Sequence, residues 1–123
     1  VDNDEHYVYQ EGRAVYKHAV TDMLTSSEKV MERNGLTVDT IDSFIPHQAN
    51  LRIIEAIADR MKLPEEKLLV NIQKYGNTSA ASIPLCMAEF EDKFKVGDKL
   101  VLTAFGAGFT WGALYLVWGY NAK

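Results

Sequence analysis

Short apolar runs alternate with segments of helical periodicity along most of this chain, and that alternation most narrows its possible folds. Four runs read as strands: Ser43 to His47, Leu68 to Ile72, Lys99 to Phe105 and Trp111 to Tyr120. The first two are short, apolar and closed by a turn or polar residue, as expected of buried strands, and the last two are longer, the fourth aromatic. Helical spacing covers Arg13 to Asn34, with Val15, Ala19, Met23, Val30 and Met31 inward, Ser26-Ser27 a possible break, and Asn34-Gly35 a C-terminal stop. A second helix is capped by Asn50 and carries Ile53, Ile54, Ile57, Ala58 and Met61 on one face. A third is capped by Thr78 or Ser79, carries Ile83, Met87, Phe90 and Phe94, and tolerates Pro84 only near its start. Tyr7-Val8-Tyr9 is a short extended lead-in. The order helix, strand, helix, strand, helix, strand, strand predicts an α/β fold with a mixed, mostly parallel sheet and helices on both faces. The last two strands are joined by Gly106-Ala107-Gly108 and are expected to be antiparallel.

At 123 residues, residues 1–123 are expected to form a single domain that buries its own core. A net charge of −4 argues against a nucleic-acid partner. No apolar run approaches the roughly 20 residues of a membrane span. The acidic start, Val1-Asp2-Asn3-Asp4-Glu5, does not read as a secretory signal. One cysteine, Cys86, excludes an internal disulfide and any multi-cysteine metal site. A cytoplasmic setting is expected. The non-methionine start suggests a piece of something longer.

Two polar residues close consecutive strands, His47 and Asn77. Ligands of open α/β sheets bind beyond the carboxyl ends of the strands. A neutral imidazole N–H and an amide NH₂ can both donate to one oxygen and stabilise charge developing there. The Gly106–Gly108 turn offers backbone N–H groups at a third strand end. The plainer reading of a lone histidine after a strand is a structural hydrogen-bonder. Trp111, Tyr115, Trp118 and Tyr120 read as half-buried sheet rather than a stacking surface. Glu65-Glu66 and Glu89, Glu91 and Asp92 read as solvated faces, and His6 and His18 as surface residues.

The wording around these positions goes further. Ile45 to Asn50 reads IPHQAN, Tyr75 to Ser82 reads YGNTSAAS, and Phe105 to Gly112 reads FGAGFTWG. Near the start, Gly12-Arg13-Ala14-Val15-Tyr16-Lys17 looks like a GREVFK segment. In this order and spacing, over about residues 11 to 120, the chain resembles the C-terminal half of β-ketoacyl-acyl-carrier-protein synthase III. Plant polyketide synthases share a histidine and a GN motif but not this wording.

The resemblance implies a three-layer, thiolase-like half-fold and a place in the first condensation of fatty-acid synthesis. There an acyl group passes from acyl-CoA to a cysteine and then condenses with malonyl-acyl-carrier protein, with loss of carbon dioxide. By resemblance, His47 and Asn77 are the catalytic histidine and asparagine and donate to the malonyl thioester oxygen. The backbone N–H of Ala107 belongs to an oxyanion hole. Asn50, Tyr16, Gly12 and Phe105 fall at positions of the substrate and CoA channel. Lys17 and Arg52 fall at contacts with the acidic carrier protein, although they could equally be plain surface charges. Tyr16 stands where the family has Phe. No cofactor or metal is implied; the thioesters of CoA and carrier protein are substrates, and a homodimer is expected. The family's nucleophile lies in an N-terminal half that this chain does not include. Cys86, between Leu85 and Met87, reads as a structural thiol. Two arrangements follow: part of a complete condensing enzyme, inactive alone and with an exposed apolar surface, or a carrier-protein- or CoA-binding module or half-enzyme paired with a separate subunit. Both catalytic positions being filled favours the first.

Overall fold

The computed structural model describes residues 10–122, so Tyr7-Val8-Tyr9 and His6 lie outside the described residues. Helix α1 spans Gly12–Arg33, strand β1 Ser43–Pro46, helix α2 Leu51–Met61, helix α3 Ile72–Tyr75 and helix α4 Ser82–Glu89. Strands β2 (Lys99–Gly106) and β3 (Thr110–Val117) follow. The sheet order is β1-β2-β3, with β1 parallel and β3 antiparallel to β2. Asp42 sets the register, its backbone N–H donating to the Lys99 carbonyl and its carboxylate accepting the Lys99 N–H.

Alternation along the strands sends Phe44 and Val101 to one face, where they pack with Ala19, Val20 and Met23 of α1 and Ile53 and Ile57 of α2. Ile45 and Leu100 point the other way, into a second cluster with Leu69, Cys86, Phe94 and Trp118. Helices therefore cover both faces, giving the three layers expected. Burying large aliphatic side chains contributes about 1.5–3 kcal/mol each, so these two clusters hold the layers together.

The local reading holds in part. Helix α1 does not break at Ser26-Ser27, because both hydroxyls donate back to the Met23 carbonyl, at 3.1 and 2.7 Å. It stops where expected, with Gly35 at φ +64°. Asn50 caps α2, its side chain accepting the Arg52 N–H at 2.9 Å. The strand expected at Leu68 to Ile72 shrinks to a single parallel bridge between Leu68 and Phe44, and Ile72 already begins α3. The third helix is shorter than its apolar spacing suggested. A 3₁₀ turn, Ser79–Ala81, precedes α4, neither Thr78 nor Ser79 provides a side-chain cap, and Pro84 sits in the first turn. Phe90 and Phe94 lie past its end, and a tight turn carries Phe94 into the second cluster against the Trp118 ring. Trp111 lies in β3 about half exposed, as read, whereas β3 ends at Val117 and leaves Trp118 and Tyr120 beyond the sheet. No helix among the described residues is long and apolar enough to cross a membrane.

Candidate active site

Because β1 and β2 run in parallel, their carboxyl ends fall on one side of the sheet, with Pro46 level with Thr103. His47 is the first residue past β1. Its backbone N–H still donates to the Thr103 carbonyl at 2.7 Å, so the main chain stays anchored where the side chain leaves the sheet. The ring is half-buried, and this burial holds its pKa below the usual 6.5. At neutral pH the imidazole is uncharged, with one nitrogen a donor and the other an acceptor. Its Nδ1 lies 2.5 Å from the hydroxyl of Ser82 at the start of α4. Ser82 Oγ also accepts the backbone N–H of Gln48 at 3.2 Å. This serine joins the Asn77–Ser82 segment to the end of β1.

Asn77 does not close a strand, because the chain turns into α3 at Ile72; it lies past that helix, exposed, after Gly76, whose φ of +68° suits glycine. The Asn77 Oδ1 accepts the Ser79 N–H at 2.9 Å, bending the chain so that Ser79 adopts φ +54°. A left-handed backbone costs a non-glycine residue about 1–2 kcal/mol, and this hydrogen bond helps to offset it. It also prevents α4 from starting at Ser79. Nδ2 makes no hydrogen bond among the described residues, and this group can only donate.

Gln48 is 1% exposed and buried beside His47. Its Nε2 donates to the carbonyls of Pro46 (2.8 Å) and Leu69 (3.3 Å), and its Oε1 accepts the N–H groups of Asn71 (2.9 Å) and Ile72 (3.2 Å). One side chain thus replaces the ladder that a strand at Leu68 to Ile72 would have formed. Asn71 in turn donates to Glu89, which also pairs with Lys74 at 2.7 Å. Glu89 is therefore part of a network rather than a plain solvated charge.

The turn from β2 to β3 exposes Ala107, whose φ is not in the positive range. Gly108 is at φ +138°, and a Cβ there would fall 2.6 Å from Thr110 Oγ1, so the position requires glycine. Phe105, half-buried at the end of β2, packs on Phe109 with ring centroids 5.0 Å apart, and His18 lies against the Phe109 ring at 5.1 Å. His18 is exposed and bonds Asp22. A second group gathers where α1 and α2 begin. The Arg52 guanidinium stands 5.7 Å from the centre of the exposed Tyr16 ring, and Asn50, Lys17 and Gly12 at the same two helix starts are also exposed.

Cys86 takes no part in this arrangement. It is fully buried in the second cluster. Burial first, and the nearby Glu89 charge second, push its thiol up to about 12, which leaves almost no thiolate at neutral pH. Ser82 and Gln48 are the residues that sequence reasoning left without a role. Both lie inside the IPHQAN and YGNTSAAS runs, but nothing in the sequence marks either side chain as buried.

Among curated proteins, the chain is 62% identical over its whole length to β-ketoacyl-[acyl-carrier-protein] synthase III 2 of Bacteroides thetaiotaomicron. It is 61% identical to the β-ketoacyl-[acyl-carrier-protein] synthase III of Porphyromonas gingivalis. It spans 37% of the length of each of these relatives. The crystal structure of 3-oxoacyl-[acyl-carrier-protein] synthase III from Aquifex aeolicus superposes with a TM-score of 0.89 at 46% identity, covering 94% of this chain and 38% of that one. The Pseudomonas aeruginosa enzyme superposes with a TM-score of 0.90 at 40% identity, covering 100% of this chain and 39% of that one. Residues 31–118 match the family model described as 3-oxoacyl-[acyl-carrier-protein (ACP)] synthase III C terminal. The chain therefore belongs to the 3-oxoacyl-[acyl-carrier-protein] synthase III C-terminal family.

Proposed function

We propose that this chain is the C-terminal part of a cytoplasmic 3-oxoacyl-[acyl-carrier-protein] synthase III. It would condense an acyl-CoA primer with malonyl-carrier protein at the start of fatty-acid synthesis. The observation that carries this reading is two neutral donors, His47 just past β1 and Asn77 just past α3, on segments that Ser82 ties together. His47 is kept uncharged by burial, and the amide of Asn77 has its oxygen already engaged. Loss of CO₂ from the malonyl group leaves its bonding electron pair on the α-carbon, delocalised onto the thioester oxygen. Two hydrogen bonds to that oxygen stabilise the enolate more than the ground state, which lowers the barrier. The enolate carbon then attacks the acyl thioester carbonyl and expels the cysteine thiolate, giving the 3-oxoacyl-carrier protein.

That cysteine belongs to the rest of the enzyme, since Cys86 is buried and protonated. The backbone N–H of Ala107 is assigned to the oxyanion hole at this second step. Asn50, Tyr16, Gly12 and Phe105 are assigned to the channel for the thioester arm, and Lys17 and Arg52 to the acidic carrier protein. These are the partners that the reading requires, together with the N-terminal part of the enzyme and a second copy in a homodimer. The reaction as written needs no cofactor or metal.

The test is malonyl-carrier-protein decarboxylation by the full-length enzyme, measured as CO₂ release. His47→Ala and Asn77→Ala should each lower the rate by about 10²–10³, the usual cost of one oxyanion donor. Cys86→Ala should stay within about twofold, as a small change in a buried apolar cluster. An undiminished rate in either of the first two variants would sink this reading.

A further inference from the structure

A serine beside the proposed donor pair has its own part to play. Ser82 is 2% exposed, and its oxygen meets His47 across 35 residues of chain. A hydroxyl has one proton and two lone pairs. The N–H of Gln48 takes one lone pair. Among the described residues, Ser82 Oγ makes no hydrogen bond other than those to Gln48 and His47. Its proton therefore has one destination, the unprotonated Nδ1 of His47. If Nδ1 carried the hydrogen instead, the serine proton would be left in a buried place without an acceptor, which native structures avoid.

We propose that Ser82 is a positioning residue that fixes His47 in the tautomer protonated at Nε2, so that the ring offers its N–H to the thioester oxygen. The assignment of the tautomer stands on the hydrogen bonds alone, while its use in catalysis rests on the reading of His47 given above. The backbone of His47 is held by Thr103 and its ring by Ser82, so neither the position nor the protonation pattern is left to solvent. A free imidazole divides between two tautomers. A ring held in one of them has its donor in place before substrate arrives, as preorganised catalysis requires.

The experiment uses full-length enzyme labelled with ¹⁵N-histidine and long-range ¹H–¹⁵N correlation at neutral pH, the His47 signals being assigned by their loss in His47→Gln. The expected result is an acceptor-type shift at Nδ1 and a protonated-type shift at Nε2. In Ser82→Ala the two shifts should move toward a tautomer average, and kcat for decarboxylation should fall about tenfold or more with KM little changed, as when a catalytic histidine loses its tautomer. Ser82→Thr, which keeps the hydroxyl, should restore both signature and rate. Protonated Nδ1 in the unsubstituted enzyme would overturn the proposal without any variant having to fold. A normal rate in Ser82→Ala beside a lost rate in His47→Ala would overturn the positioning role alone. Normal rates in both would overturn the function proposed for His47, with the spectra still deciding the tautomer.

Discussion

His47 joins a histidine's ordinary chemistry to a place that resists its charged form. Burial lowers its pKa below 6.5 in the folded chain, while the unfolded chain binds a proton near the usual value. The unfolded state therefore holds more protons as the pH drops through that region, and stability falls with it. The contribution is complete above about pH 6.5 and is lost as the pH descends toward the folded value. The thermal midpoint of the full-length protein, followed from about pH 7.5 to 5.5, should decline less steeply in His47→Gln than in the unsubstituted protein. Identical slopes would show that His47 gains no such protection. The position of this residue was legible in the sequence, because a polar side chain closing an apolar run marks a strand end. Its partner was not, since the serine that meets it lies 35 residues away and nothing local in YGNTSAAS says which hydroxyl turns inward.

At the level of elements, the clearest departure from periodicity is the segment from Leu68 to Ile72. Its apolar run reads as a strand, yet after one bridge to Phe44 the pairing passes to the side chain of Gln48. Periodicity reports which side chains are buried but not which group satisfies the backbone, so a glutamine standing in for a ladder is invisible to it. The same limit explains α4, whose apolar spacing continues past its end because Phe94 is buried from a turn rather than from a helix. The helices α1 and α2 and the hairpin of β2 and β3 were legible, each having its own turn or cap signal. Gln48→Leu removes four hydrogen bonds and strands two N–H groups and two carbonyls. At about 1–3 kcal/mol for each of these four groups, the expected loss is about 4 kcal/mol or more. Gln48→Glu keeps the acceptor but sets a second carboxylate oxygen against the carbonyls of Pro46 and Leu69, so it should lose at least as much. Urea unfolding of the full-length protein checks this, and a loss below about 1 kcal/mol for the leucine variant would show that water replaces the glutamine without penalty.

Across the whole molecule, the two faces of the sheet are covered unequally. Helix α1 packs over both β2 and β3, whereas α4 packs on β1. On the α4 side this leaves an open apolar hollow of about 330 Å³, bounded by Ile83, Leu102, Ala104 and Leu114. Leu114 is 53% exposed there, and Val96, on the loop before β2, is 58% exposed. Exposure alone does not separate the two residues, but their surroundings do. Val96 stands on a loop, where an apolar side chain in water needs no explanation. Leu114 lies on β3, an edge of the sheet among the described residues, within an apolar patch of the kind that marks an interface. On the proposal that this chain is the C-terminal part of a longer enzyme, the hollow is where the rest of that enzyme is expected to pack. Leu114→Lys in that protein would then place an ammonium in an apolar contact and should destabilise it by about 2 kcal/mol or more. Val96→Lys should stay within about 0.5 kcal/mol, as an ordinary surface change does. The thermal midpoints of the two variants decide the matter: equal and small shifts would leave the hollow facing water and place the contact with the rest of the enzyme on another surface.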